Sequence, residues 1–139
     1  ASAVYEETVL EGLARGEPDA THIEIAFQRQ QLQVINMAES DLSLEISSSA
    51  LDRGEKYAIQ LAVRENADWV LLDDTAARTE AKRLGLPMKG TLGVFVDAVR
   101  QKVLSLSEVE VVFQAIIKRE DIWIAEGLVR RVWKELKTK

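Results

Sequence analysis

The stretch that most constrains this chain is a short apolar run, Trp69-Val70-Leu71-Leu72, set between Asp68 and the pair Asp73-Asp74. An uninterrupted apolar run of strand length, bounded by charge, suits a strand buried on both faces, as in a parallel sheet covered by helices. Such a sheet needs helical neighbours, and the flanking sequence supplies them. Residues 52–66 read as a helix: Asp52 opens it, Ala58, Ile59, Ala62 and Val63 are its apolar residues, and Asn66 suits its end. Thr75 to Leu84 reads as the next helix, closed by Gly85.

Upstream, Val4, Tyr5, Thr8, Val9 and Leu13 follow helical spacing, with Gly12 and Gly16 marking the end. Pro18 suits the first turn of a second helix, on which Ile23, Ala26 and Phe27 share a face. Leu32 to Ile35 alternates briefly and predicts a short strand, while Asp41 to Ile46 fits neither period. Downstream, residues 90–93 form a turn into a helix with Phe95, Val96, Val99 and Val103 apolar. Ser107 with Glu110 has the pattern of a capping box for a helix through Lys118. A last helix near residues 125–137 carries Leu128, Val132 and Leu136 on one stripe. Helices alternating with short apolar strands define an α/β protein. With no repeat or linker, and only Ser47-Ser48-Ser49 as a soft spot, the 139 residues read as one domain, 1–139.

Chemistry is narrowed by what is scarce. Cysteine is absent and His22 is the one histidine. That excludes disulfides and thiolate metal sites, fits a reducing cytosol, and leaves little room for a zinc site or a histidine-based triad. A metal here would be a hard ion on carboxylates. No apolar run has the length of a membrane span, and residues 1–7 lack the basic and apolar regions of a signal peptide. The net charge of −5 argues against a simple basic nucleic-acid-binding module. It leaves room for an enzyme whose acids are offset by a bound cation while basic residues elsewhere hold phosphates. Arg78, Lys82, Arg83 and Lys89 cluster in sequence, as do Arg130, Arg131, Lys134, Lys137 and Lys139; the ordinary reading of both is a solvated helix face. Trp69, Trp123 and Trp133 lack interleaved basic residues and read as core or interface rather than base-stacking platforms, and His22 reads as a surface residue.

Several blocks together resemble a known family. Residues 51–62, Leu-Asp-Arg-Gly-Glu-Lys-Tyr-Ala-Ile-Gln-Leu-Ala, are similar to the Gly-Glu helix of a PIN-domain subfamily. Ala67 to Asp74 resembles its acidic strand end, and Ala77-Arg78, Leu84-Gly85-Leu86-Pro87 and Lys89 to Val94 come next in matching order and spacing. Near the start, Ala3-Val4-Tyr5-Glu6-Glu7 looks like the family's Val-Tyr-x-Glu helix, with Gly12 shortly after. Gly-Glu or Asp-Asp alone is common; their ordered combination is what makes the likeness specific. It is weakest between Glu17 and Ser49.

The resemblance implies a three-layer α/β fold and a Mg²⁺- or Mn²⁺-dependent ribonuclease of the toxin (VapC-like) type, cytoplasmic and homodimeric, with RNA as substrate and a protein antitoxin as partner. Carried over residue by residue, Glu7 is the acid of the first helix, Glu55 the acid opening the conserved helix, and Asp74 the acid after the strand, with Asp73 the neighbouring choice. All four become candidate metal ligands, and Glu7, Glu55 and Asp74 the candidate catalytic set. One departure stands out. The family begins with a central strand ending in an aspartate, and here the Val-Tyr-x-Glu helix starts at residue 4, so that strand and its acid are expected to be missing from this chain.

Local sequence offers plainer roles. Asp52-x-x-Glu55 is itself a near capping box, Asp74 can cap the helix beginning at Thr75, and Thr91 can cap the one after Gly90. Two other functions therefore compete with the enzyme: a catalytically degenerate PIN-like module that binds RNA or protein, and, further off, a phosphoacceptor domain of the signalling-receiver type.

Overall fold

A computed structural model describes residues 1–119, 122 and 124–138; Trp123 and Lys139 lie outside the described residues. The chain divides into two compact units, the first formed by residues 1–70 and 74–88, the second by 71–73 and 89–139.

The first unit opens with α1 (Ser2–Tyr5), a π-helical segment (Glu6–Glu11) and α2 (Gly12–Arg15), which succeed one another with helical dihedrals at each junction. The end is Gly16 at φ 74°, where the absence of a Cβ permits the left-handed turn. Gly12 does not end the helix. It is buried within it, and a Cβ there would fall 2.7 Å from the Ala20 side chain, so glycine lets α3 (Pro18–Gln28) pack closely. Tyr5 and Phe27 add a ring contact, with centroids 5.2 Å apart.

The strand expected at residues 32–35 is absent: the strands among the described residues lie elsewhere. Val34 and Ile35 are both half-buried instead of alternating. The Ile35 carbonyl accepts from Ser2 N–H, and Met37 N–H donates to Ser2 Oγ, so this segment ties to a helix start instead of a ladder. A short 3₁₀ turn (Glu39–Asp41) and α4 (Leu44–Ser47) lead on to α5 (Arg53–Glu65). This helix ends at Asn66 in the left-handed conformation and buries Gly54, Tyr57, Ile59 and Ala62; Val63 points outward. α6 (Thr75–Arg83) buries Ala77 and Ala81 and stops before Gly85, φ 70°.

β1 (Val70–Leu71) and β2 (Met88–Lys89) are hydrogen-bonded neighbours in a two-stranded sheet. Val70 N–H donates to Pro87 and Leu72 N–H to Lys89, the evenly stepped pattern of a parallel pair. The fold is thus helix-rich α/β with a small parallel sheet. Burial along the run alternates. Val70 and Leu72 are buried, whereas Trp69 and Leu71 are 53% and 63% exposed. The apolar run is covered on one face only, and Trp69 is not a core residue.

The second unit packs α7 (Thr91–Arg100), α8 (Leu106–Lys118) and α9 (Glu126–Lys137) around Leu92, Val109, Phe113, Ile116, Val129 and Leu136. Two sequence expectations move here. The capping box is Ser105/Glu108, not Ser107/Glu110. The reason is the staple that accompanies such boxes: capping at Ser105 lets Leu104 and Val109 join the same core, whereas capping at Ser107 would ask the exposed Leu106 and Val111 to do so. On α9 the buried stripe runs through Val129, Val132, Trp133 and Leu136, one residue on from Leu128, which is exposed. That spacing keeps to one helical face better than steps of four, which drift around the helix.

Candidate functional site

Two consecutive side chains of the π-helical segment reach the start of α5. Glu6 accepts from the Arg53 guanidinium at 2.7 Å, and that guanidinium also lies 5.5 Å from the centre of the Tyr57 ring. Glu7 rests its carboxylate on Gly54, with Oε2 2.8 Å from the position a Cβ would take. A π segment inserts extra residues into a helical turn and rotates the next part of the helix, a device frequent at functional sites. Here it lies at the residues that address Arg53 and Gly54, one position before Glu55.

Glu55 sits in the first turn of α5, half-buried. Its Oε2 accepts from Asp52 N–H at 3.1 Å, so the capping role read from the sequence is physically present. Its carboxyl is nevertheless pushed above the usual glutamate range. Burial is the largest cause; the Asp52 N–H bond works against it, and the charges of Asp74, Asp52 and Glu7 add to the rise. Asp74 caps α6, with Oδ1 accepting from Ala77 N–H at 2.9 Å. Each cap occupies one carboxylate oxygen and leaves the other available. Within the first unit, then, Glu55 feels both Asp74 and Glu7, which the sequence separates widely.

Asp73 belongs to the second unit and is differently engaged. Its Oδ1 accepts from Thr91 N–H at 2.9 Å and its Oδ2 from the Thr91 hydroxyl at 2.5 Å, which secures the first turn of α7. Both oxygens are in use, which favours Asp74 of the adjacent pair as a ligand. Thr91 serves Asp73, an arrangement that no local pattern announced. Among the described residues no group of three or more histidines and carboxylates is gathered tightly enough to enclose an ion together.

Several basic residues singled out in sequence are held internally. Arg83 pairs with Glu80 and Glu45, Lys89 with Asp97, and Arg130 with Glu126. Lys137 lies over the Trp133 ring at 5.1 Å. His22 is exposed, with Nδ1 3.0 Å from the Pro18 carbonyl oxygen. No described helix is long and apolar enough to cross a membrane.

Comparison with known families gives a match to a model described as a PIN domain, over residues 1–138. The chain belongs to the PIN-domain family, a nuclease-type fold whose members generally use divalent metal ions and commonly bind RNA. No curated protein and no solved structure matches it. Membership displaces the receiver-domain alternative.

The raised Glu55 carboxyl gives a pH signature. Because its folded value lies above the ordinary 4.5, its contribution to stability is complete below that value and is lost as pH rises through the folded one. Glu55→Gln keeps an acceptor for Asp52 N–H and removes the charge. In EDTA, Tm of the Gln variant should exceed that of the parent at pH 7, with the gap closing as pH falls below about 4.5. A lower Tm for the variant at every pH would leave capping as the whole role of Glu55.

Proposed function

We propose that this chain is the nuclease domain of a Mg²⁺- or Mn²⁺-dependent endoribonuclease in which Glu7, Glu55 and Asp74 form the acidic site. The observation that supports it most is that the half-buried Glu55, raised chiefly by burial, also feels the charges of the exposed Asp74 and Glu7 within the first unit, while Glu7 lies against Gly54 next to it. Like charges held together in the absence of a counter-ion cost stability, and such a cost is commonly retained where a cation or reaction needs it.

The donor chemistry fits a hard divalent ion. Oxygen ligands are what Mg²⁺ and Mn²⁺ take, and Mg²⁺ binds through one or two carboxylates while keeping several waters, so an open set of acids suffices. When bound, such an ion polarises a phosphoryl oxygen and activates a water for in-line attack on the phosphodiester. The chain's own part is to present ionised oxygens at fixed places. Asp52 N–H orients Glu55 through one oxygen, Ala77 N–H orients Asp74, and Gly54 seats Glu7. Glu55 serves as a ligand only when ionised, and its raised carboxyl makes metal uptake weaken as pH falls toward the acid range. Asp73 is left to hold Thr91 and the start of α7.

The same reading takes the fold to be the family's three-layer arrangement. It further takes the protein to be a cytoplasmic, homodimeric toxin of the VapC-like type, restrained by an antitoxin. A second reading, a degenerate module that binds RNA or protein without cutting, draws on the lack of a closed ligand group among the described residues. The two separate in one assay. Full-length protein is mixed with a labelled single-stranded RNA in Mn²⁺ or Mg²⁺, with and without EDTA. Cleavage that EDTA abolishes is the expected result; retention of RNA without cleavage, in either metal, would favour the degenerate module.

A further inference from the structure

Gly54 occupies the second position of α5 without any need of its own for glycine. Its φ is not positive, so the backbone there suits any L-residue, and glycine is a poor helix former. What distinguishes the position is the space in front of it. A Cβ would meet Glu7 Oε2 at 2.8 Å, while Val4 Cγ2 and Glu7 Cδ, at 3.9 and 4.0 Å, would be in ordinary contact. The one atom that forbids a side chain is thus the carboxylate oxygen of a candidate ligand. Of the other tight glycines, Gly12 faces the Ala20 side chain at 2.7 Å and Gly93 the Lys89 Cγ at 3.0 Å, both plain packing contacts.

We infer that Gly54 is a positioning residue: its missing side chain is the seat that holds the Glu7 carboxylate against the start of α5, beside Glu55. The inference rests on the proposed acidic site and adds to it a residue that carries no charge and acts only through the ligand it seats. The Glu7 carboxylate is the far end of a flexible side chain, so a methyl group at residue 54 displaces it and leaves the helix intact. Gly54→Ala therefore folds, with Tm in EDTA equal to or above the parent's, yet it loses the placement of Glu7.

The test is a double-mutant cycle on Mn²⁺ affinity, read by calorimetry or by the Mn²⁺ resonance signal on the full-length protein. Parent, Gly54→Ala, Glu7→Gln and the combined variant are compared, with Tm in EDTA for each. Gly54→Ala should weaken Mn²⁺ binding by about tenfold, the low end for disturbing a ligand's support, and by a factor similar to that of Glu7→Gln. The combined variant should bind no worse than Glu7→Gln alone, because residue 54 acts only through Glu7. Unchanged affinity in Gly54→Ala, losses that multiply in the double variant, or a Tm well below the parent's would each overturn the inference. A parent that binds no Mn²⁺ would remove the acidic-site reading itself. That outcome is distinct from one in which Glu7→Gln weakens binding and Gly54→Ala does not.

Discussion

Glu55→Gln in the full-length protein should reduce metal-dependent RNA cleavage by about two orders of magnitude or more, since disturbing even a ligand's hydrogen-bond partner costs tenfold to a hundredfold. The substitution is close to isosteric, and the Gln carbonyl can still accept from Asp52 N–H, so the first turn of α5 keeps its cap. What disappears is the charge. In the metal-free protein that charge is held half-buried and feels Asp74, Asp52 and Glu7, so its removal relieves a desolvation cost and repulsion. The variant should therefore be inactive and at least as stable as the parent at pH 7, a combination that a purely capping glutamate does not produce. Steady-state cleavage and thermal melts in EDTA on one preparation check both halves. Full activity would show that Glu55 only caps α5. Asp74→Asn should behave alike, because Asn also serves as an N-cap and can keep the bond from Ala77 N–H.

The largest effect on stability should come from Phe113→Ala. Phe113 is fully enclosed in the second unit, with Phe95 and Trp133 meeting its ring edge-on at 6.0 Å each. Truncation of a buried phenylalanine typically costs about 3–5 kcal/mol, through lost transfer energy and the cavity left behind. The expected cost lies within that range, read as a shift in denaturant midpoint with little change in slope. A loss under about 1 kcal/mol would mean that α7, α8 and α9 collapse onto the vacancy, and that this core is not packed as described.

Local signals carried most of what was legible in the sequence. Asp52 with Glu55, Asn66, Gly85 and Pro18 fixed helix ends correctly because capping chemistry depends on residues within a turn of one another. Expectations that needed tertiary information fared worse. Residues 32–35 had a strand's alternation but find no partner strand among the described residues, and the Ile35 carbonyl goes to Ser2 N–H. Trp69 and Leu71 had the right composition for a doubly buried strand, yet composition cannot say which faces are covered. The choice between Ser105 and Ser107 turned on whether Leu104 or Leu106 reached the core.

The candidate site divides the same way. Glu55 and Asp74 each looked like caps and are caps; their additional role as charges that feel one another emerges only when α5 and α6 are placed. Glu6 meets Arg53 across 47 positions, through a π segment that no spacing in residues 6–11 announces. The family likeness named Glu7 as a ligand without saying what holds it. The contact with Gly54 supplies that physical reason.

The central claim is that Glu7, Glu55 and Asp74 make one site for a divalent ion. Titration of Mn²⁺ into the full-length protein and into the Glu7→Gln/Glu55→Gln/Asp74→Asn variant tests it most directly. Saturable binding by the parent, with loss of that binding in the variant, is the predicted result. Equal binding by both proteins, or by neither, would contradict it.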